Sequence, residues 1–161
     1  MSFGKCKTGI YIPPEHAKNK WIVTKTFDMK EEAIKYRSSW EKMFMVFCSM
    51  NDNIIKVNSE GMKVKYYNPV TSKISNYYLD FMMETKDGKI WLVEIKPYAQ
   101  TLPPKPPRKN TKNLQKAQAL YVKAIETYAI NQAKWEATEA LCKKNGWFFK
   151  IITEKELGLK K

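Results

Sequence analysis

Histidine is almost absent from the sequence, since His16 is the only one among 161 residues. A single histidine excludes histidine-based nucleases, zinc sites built from several histidines and most Ser-His or Cys-His hydrolases. Neither common glycine-rich phosphate-binding loop occurs, which argues against an ATPase or a dinucleotide-dependent enzyme. Any catalysis must therefore rely on carboxylates, lysine and a metal ion.

Cysteine pairs and long apolar runs are also missing. Cys6, Cys48 and Cys142 are far apart in the sequence and form no Cys-X-X-Cys pair, so we expect reduced cysteines in an intracellular protein. No apolar run reaches membrane length, and the N-terminus lacks the apolar core of a signal peptide. We therefore expect a cytoplasmic protein without a membrane partner.

Acidic residues are too few to balance the basic ones. The sequence has 29 Lys and Arg against 16 Asp and Glu, a net charge of +13. Such an excess points to a polyanion, and nucleic acid is the expected partner; a soluble basic protein without such a partner is the alternative. With 43% hydrophobic and 13% aromatic residues, the chain is expected to be globular and to form one domain.

The residues from 76 to 97 predict a β-hairpin, because two runs rich in aromatic and β-branched residues flank an Asp-Gly turn signal. A three-residue loop with Gly88 in the left-handed conformation pairs Thr85 with Lys89. It places Asp80 opposite Glu94, whereas a two-residue turn would send the two carboxylates to opposite faces. We predict the three-residue loop.

The predicted hairpin suggests a phosphodiester-cleaving site. Carboxylates that face each other repel, so such a pair persists when a cation lies between them. Asp80, Glu94 and the carbonyl oxygen of Ile95 provide the oxygen ligands that Mg²⁺ accepts. Lys96 shares a strand face with Glu94 and could hold the attacking water or stabilise charge on a phosphate. A surface hairpin with solvated charges is the alternative.

A long helix is predicted before the hairpin, from a capping box at Asp28 and Glu31 to about Met50. Glu41 is expected to reach the metal site as a third acid, and Arg37 to contact a phosphate. An ordinary ion pair between the two on the helix surface is the alternative. The predicted buried stripe of this helix consists of Ala33, Tyr36, Trp40, Phe44 and Phe47.

A basic segment follows the hairpin. Residues 102 to 108 must be extended because of their consecutive prolines, and no acid occurs from residue 95 to residue 125. We expect this segment to follow the DNA backbone, with a solvated linker and a basic helix face as the alternative. The candidate DNA-binding residues here are Lys105, Arg108, Lys109, Lys112, Gln115 and Lys116; the last two could also reach back toward the metal site.

The remaining elements complete an α/β pattern. Residues 1 to 20 are expected to lack regular structure, and strands are predicted at 54–57, 62–67 and 147–152. Two helices are predicted, at 112–130 and 131–144, with Gly146 as the C-terminal cap of the second. Thr153 is expected to cap a short terminal helix.

Several sequence blocks between residues 36 and 157 carry a family resemblance. They are residues 36–42, 58–60, 78–80 and 93–97, the proline pairs at 103–104 and 106–107, residues 128, 131 and 134–135, and residues 152–154. Together they resemble the PD-(D/E)xK, or restriction-endonuclease-like, superfamily and, within it, the head completion nucleases of T-even-like tailed phages. The end-cleaving endonuclease subunit of certain cut-and-paste transposons is similar. The resemblance implies that Glu41, Asp80 and Glu94 bind metal and that Lys96 is the catalytic lysine, although Leu79 precedes Asp80 where the motif has proline.

We therefore expect a restriction-endonuclease-like α/β core, with a central mixed sheet that contains an antiparallel hairpin and is flanked by helices. Residues 28–161 would form one nuclease domain after a basic arm of residues 1–27. The expected function is a Mg²⁺-dependent DNA endonuclease in which Mn²⁺ substitutes, selective for branched, flap or end DNA. The resemblance implies a role in phage head completion in the host cytoplasm or the virion, with phage head or portal proteins as partners. A dimeric Holliday-junction resolvase and a non-catalytic DNA-binding virion protein are the alternatives.

Overall fold

The computed structural model describes residues 7–23 and 31–159 as a set of nine strands, two α-helices and two short 3-10 helices. The strands are β1 (Gly9–Tyr11), β2 (Trp21–Ile22), β3 (Ile34–Tyr36), β4 (Ile54–Ser59), β5 (Lys63–Asn68), β6 (Lys73–Tyr78), β7 (Phe81–Thr85), β8 (Ile90–Ile95) and β9 (Phe148–Ile152). The α-helices are α1 (Ser39–Met50) and α2 (Leu114–Asn145), and the 3-10 helices are Glu15–Lys20 and Tyr98–Thr101.

Five strands form the central sheet, in the order β2-β4-β7-β8-β9. The outer pairs β2–β4 and β8–β9 are parallel, while β4–β7 and β7–β8 are antiparallel. Two further antiparallel pairs, β1–β3 and β5–β6, form separate two-stranded sheets. The predicted mixed sheet with an antiparallel hairpin and flanking helices is confirmed.

The central sheet is apolar on both faces, because successive side chains along its strands point into two different cores. On one face Val93 and Ile95 of β8 pack with Phe44 of α1. On the other face Leu92 packs with Leu79 and with residues of β5, β6 and α2. Burial on both faces fixes the register of β8, since a slip of one residue would exchange the two sets of side chains.

The first strand of the predicted hairpin is broken at Leu79–Asp80. Residues before the break form β6 and pair with β5, whereas residues after it form β7 and pair with β8. The Leu79 amide donates to the Met62 carbonyl at 3.1 Å, and the Glu60 amide donates to the Asp80 carbonyl at 3.0 Å. The prediction of one continuous strand is therefore wrong, because these backbone bonds to the β4–β5 connection compete with the hairpin ladder.

The prediction that residues 1 to 20 lack regular structure is wrong for Gly9–Tyr11 and Glu15–Lys20. Tyr11 and Trp21 are buried, and both are hydrogen-bonded to Ser49 Oγ of α1, at 2.7 and 3.0 Å. Lys20 Nζ donates to the Ser49 and Asn51 carbonyls at 3.3 and 2.8 Å, at the C-terminal end of α1. A cation at this end of a helix is favourable because the last carbonyls carry partial negative charge.

Helix α1 begins at Ser39, so the predicted start near residue 28 is wrong; Asp28 itself lies outside the described residues. Ser38 is the N-cap, and its Oγ accepts a hydrogen bond from the Glu41 amide at 3.1 Å. Phe44 is buried as predicted, but Phe47 is 51% exposed. The buried residues of the helix are Phe44, Met45, Cys48 and Ser49.

Helix α2 is continuous over 32 residues, so the prediction of two helices is wrong. No Gly or Pro interrupts it, and Asn131, the predicted start of a second helix, is buried within it. The helix ends as predicted at Gly146, whose φ is 70° and whose amide donates to the Cys142 carbonyl. Thr153 binds Glu156, but turns follow it instead of the predicted short helix. Within the described residues, neither α2 nor any other helix combines the length and apolarity needed to cross a membrane.

Candidate active site

The β7–β8 connection has the predicted three-residue loop. The Thr85 amide donates to the Lys89 carbonyl at 3.0 Å, and Gly88 has a φ of 79°. Phe81 pairs with Val93, which is the register that places Asp80 opposite Glu94. The choice between the two loops made from the sequence is therefore confirmed.

Asp80 lies at the strand break, and a backbone amide of β8 fixes its carboxylate. Its Oδ2 accepts a hydrogen bond from the Ile95 N–H at 2.7 Å. This bond holds Asp80 beside the neighbouring Glu94, close enough for the charge of Glu94 to act on it. Whether the carbonyl oxygen of Ile95 binds a metal stays a prediction; the amide of this residue is the group that contacts Asp80.

Glu94 is 5% exposed, and two side chains hold its carboxylate. Its Oε1 lies 3.3 Å from Lys96 Nζ, which confirms that Glu94 and Lys96 share a face of β8. Its Oε2 accepts a hydrogen bond from the Tyr77 hydroxyl of β6. Burial and the charge of Glu94 raise the pKa of Tyr77, so this phenol remains a donor at neutral pH.

The carboxylates affect one another's protonation. Burial raises the pKa of Asp80 well above its usual value, and the negative charges of Glu94 and then Glu41 raise it further. The Ile95 amide and the positive charge of Lys96 act in the opposite direction, but they do not cancel this effect. Negative charge is thus concentrated at this site without full compensation.

Glu41 lies in the first turn of α1, and its charge acts on Asp80. Its Oε2 accepts from the Arg37 amide at 2.8 Å, and its Oε1 accepts from Ser38 Oγ at 3.2 Å. Burial raises the pKa of Glu41, these hydrogen bonds lower it, and the charge of Glu60 raises it. Glu41 is therefore a capping residue of α1 that lies within electrostatic range of Asp80.

Arg37 precedes α1, and its guanidinium group forms a two-point ion pair with Glu60. Nη2 donates to Oε2 at 2.9 Å, and Nε donates to Oε1. The predicted position of Arg37 on the helix is wrong, because α1 begins at Ser39 and Arg37 precedes it; its backbone amide donates to Glu41. A phosphate contact by Arg37 stays a prediction.

A divalent cation fits the pair Asp80 and Glu94, because it would neutralise their repulsion. Within residues 7–23 and 31–159, no three acidic, histidine or cysteine side chains lie close enough to form a metal-ligand group. Asp80 and Glu94 would therefore hold the ion together, and Glu41 would act on it through its charge. Mg²⁺ accepts two such ligands, since it usually keeps several waters. The assignment of Glu41, Asp80 and Glu94 as ligands stays a prediction.

The basic segment runs from the site to the start of α2. Pro103 to Arg108 have neither helical nor strand structure, as predicted. All six candidate DNA-binding side chains of this segment are exposed: Lys105, Arg108, Lys109, Lys112, Gln115 and Lys116. Their contact with DNA stays a prediction.

Gln115 and its neighbour Lys116 lie far from the candidate metal site. The prediction that their side chains could reach back to this site is therefore wrong. The residue of α2 that comes near the carboxylates is Lys134, which is influenced by Glu94 and Asp80. A helix rises about 1.5 Å per residue, so Gln115 lies about 28 Å from Lys134 along the axis.

Tyr77 and Lys134 are two site residues that the sequence reasoning did not assign. In one continuous strand, Tyr78 would share a face with Asp80, because residues two apart point to the same side. The break at Leu79–Asp80 removes this relation, and Tyr77 is the residue that binds Glu94. The prediction of two separate helices gave no reason to place Lys134 near the carboxylates. The buried spacing of Asn131, Trp135 and Thr138 could have indicated the inward face of α2.

Comparisons with known proteins show the family of the chain. A family model described as TnsA-like endonuclease N terminal matches residues 51–154. The chain is also 35% identical over 130 residues to the head completion nuclease of Enterobacteria phage T4, covering 79% of this chain and 85% of that protein. The family match contains Asp80, Glu94, Lys96 and Lys134, whereas Glu41 lies before it.

Proposed function

Because the chain belongs to the TnsA-like endonuclease N-terminal family, with a restriction-endonuclease-like fold, it is a nuclease, and we propose that it is a Mg²⁺-dependent DNA endonuclease. The observation that carries the proposal is the convergence of Asp80, Glu94 and Lys96 at the β7–β8 hairpin. Carboxylates with an adjacent ammonium group suit the hydrolysis of a phosphodiester, in which negative charge develops on phosphate oxygens.

In this mechanism Asp80 and Glu94 would hold the ion, with Glu41 supporting the site at longer range. When bound, the ion would supply neutralisation of phosphate charge and a lowered pKa for water. The Ile95 amide holds the Asp80 carboxylate in place, and the Tyr77 hydroxyl holds Glu94. These contacts keep both acids oriented before the substrate arrives.

Lys96 would act on the reacting groups directly. Its ammonium group is paired with Glu94 at 3.3 Å, and its side chain is 22% exposed, so it remains accessible from solvent. It can donate hydrogen bonds to the attacking water or to a phosphate oxygen. The water oxygen loses a proton to solvent and forms the new bond to phosphorus. The bond from phosphorus to the oxygen of the departing strand breaks, and that oxygen takes up a proton from solvent.

Charge and exposure support DNA as the substrate. The chain has a net charge of +13, and its basic segment, which follows the hairpin in the sequence, presents exposed lysine and arginine side chains. We extend the proposal to cleavage of branched, flap or end DNA during phage head completion, in the host cytoplasm or the virion. The name of the T4 relative supports this role. Phage head or portal proteins would be the partners.

The proposal is tested by incubating the purified chain with linear, flap and four-way-junction DNA in Mg²⁺, Mn²⁺ or EDTA. We expect cleavage of a branched or flap substrate with either metal and none in EDTA. Paired symmetric nicks on the junction by a sedimenting dimer would favour a resolvase. Tight binding without metal-dependent cleavage would favour a non-catalytic DNA-binding protein.

Two substitutions assign the activity to the site. Asp80→Asn and Glu94→Gln keep the size of each side chain and remove its charge, so each should abolish cleavage while DNA binding in EDTA is retained. The matched controls are Asp87→Asn in the hairpin loop and Glu84→Gln on β7, both away from the site. If Asp80→Asn cuts as fast as the parent, the site assignment is wrong.

A further inference from the structure

Lys134 lies outside the hairpin but close to its charged groups. It belongs to α2, which packs against β5 on the sheet face that carries Leu92. Burial lowers the pKa of Lys134, as does the positive charge of Lys96, whereas the charges of Glu94 and Asp80 raise it. Its ammonium group is therefore within electrostatic range of three of the residues assigned to the reaction.

Two tyrosine rings hold this ammonium group. Lys134 Nζ lies 5.8 Å from the ring centroid of Tyr66 and 5.1 Å from that of Tyr77. A ring face attracts a cation electrostatically, and the attraction is stronger away from water. The Tyr77 ring also carries the hydroxyl that binds Glu94, so one side chain positions both groups. A lysine that usually extends into solvent is thus kept at the sheet.

Lys134 lacks a counter-ion in the described part of the chain. Every salt bridge found among residues 7–23 and 31–159 involves another lysine or Arg37, so no carboxylate within that part lies at ion-pair distance from Lys134 Nζ. Lys96, by contrast, is paired with Glu94 at 3.3 Å. Partial burial of an unpaired ammonium group is unfavourable, so its retention beside the carboxylates indicates an anion that arrives from outside.

We propose that Lys134 is a second active-site lysine that binds a non-bridging oxygen of the DNA phosphate to be cleaved. This proposal rests on the proposed function and adds a substrate contact to it. Lys96 is paired with Glu94, so Lys134 supplies a second positive charge for the phosphate. Its contact would strengthen as negative charge develops on the phosphate oxygens, which makes it a catalytic residue.

The test uses Lys134→Met, which keeps the apolar stem against the tyrosine rings and removes the charge. Lys65→Met is the matched control, because Lys65 is exposed and follows the buried Val64 and precedes the buried Tyr66 on β5. We expect single-turnover cleavage in Mg²⁺ to fall by about 10- to 100-fold for Lys134→Met, since a charged hydrogen bond is lost. Lys65→Met should stay within about twofold of the parent, because surface charges act weakly. Equal losses for both variants would overturn the proposal.

A binding measurement in EDTA tests the contact without catalysis. Once the cleavage position is mapped, a methylphosphonate is placed there to remove the charge of that phosphate. The parent should lose about tenfold in affinity, whereas Lys134→Met should lose less than about twofold, because its partner charge is already absent. Equal losses for parent and variant would overturn the proposal. Lys134→Arg should restore most of the parent's sensitivity, because arginine also binds phosphate.

Failure of this proposal is distinguishable from failure of the proposed function. If the parent cuts with Mg²⁺ and Asp80→Asn does not, but Lys134→Met cuts like the parent, only the role of Lys134 is wrong. If the parent does not cut at all, metal-dependent cleavage is wrong. The salt dependence of DNA binding then decides the phosphate contact: Lys134→Met should lower the slope of log affinity against log salt by about 0.9 relative to Lys65→Met. Equal slopes would overturn the contact.

Discussion

Replacement of Asp80 by Asn should stabilise the metal-free protein while it abolishes cleavage. At about 4 Å and an effective dielectric constant of about 20, like charges repel by about 4 kcal/mol, which is an upper limit for the repulsion from Glu94. Replacing the charged acceptor of the Ile95 N–H by a neutral one costs about 1 kcal/mol, and solvent reduces the repulsion. We expect a net gain of about 1 to 2 kcal/mol, a rise in Tm of about 2 to 8 °C for a chain of this size.

The gain should depend on pH with a defined sign. Burial and the charges of Glu94 and Glu41 raise the pKa of Asp80 in the folded protein above its value in the unfolded chain, about 3.9. The ionised carboxylate therefore destabilises the fold, so the parent loses stability as pH rises from about 4 through the raised pKa. Asn cannot ionise, so the difference between variant and parent should be largest at pH 8 and should shrink toward pH 4.

The measurement is thermal and urea unfolding of parent and Asp80→Asn in EDTA and in Mg²⁺. Mg²⁺ should stabilise the parent, because it binds the folded state, and should stabilise the variant less. Asp87→Asn is the control: a hydrogen bond from Thr85 lowers the pKa of Asp87, so its replacement should not stabilise the fold. A parent that is more stable than Asp80→Asn in EDTA at pH 8 would refute this reasoning.

Three further variants test other contacts of the site. Tyr77→Phe removes the donor to Glu94 and should lower the free energy of unfolding by about 1 to 3 kcal/mol and the single-turnover rate about tenfold; Tyr67→Phe, at an exposed position, should do neither. Glu60→Gln should cost about 1 to 2 kcal/mol in urea unfolding because the ion pair between Arg37 and Glu60 loses its negative charge, and an unchanged value would show that this pair adds no stability. In the third variant, four basic residues are replaced together by neutral ones: Lys105, Arg108, Lys109 and Lys112. The slope of log affinity against log salt should then fall by about 3 to 4, and an unchanged slope would show that DNA binds elsewhere.

Features with local causes could be predicted from the sequence. The β7–β8 register follows from a three-residue loop in which a glycine adopts a positive φ. Strand β9 and the Gly146 cap likewise follow from short stretches of sequence. The start of α1 had a local signal too, the Ser38 and Glu41 capping box, but Asp28 and Glu31 offer a similar pattern earlier in the chain.

Features set by contacts between distant residues could not be predicted. Arg37 pairs with Glu60 across 23 residues, and nothing in either neighbourhood selects this partner over Glu41. The continuity of α2 depends on Asn131 and Trp135 being buried against other elements, which propensity alone does not reveal. The sequence places Glu41 on a helix flank, whereas the structure places it in the first turn, where capping bonds hold its carboxylate.

The strand break at Leu79–Asp80 explains how these separate contacts produce one site. Before the break, Tyr77 of β6 binds the side chain of Glu94; after it, Asp80 binds the amide of Ile95. A single uninterrupted strand would place Tyr77 and Asp80 on opposite faces, because residues three apart alternate. The break allows both to act on adjacent residues of β8. It also creates the β5–β6 sheet, whose tyrosine rings lie beside the ammonium group of Lys134. Loss of this small sheet should therefore disturb the positions of both Lys134 and Glu94 in the proposed active site.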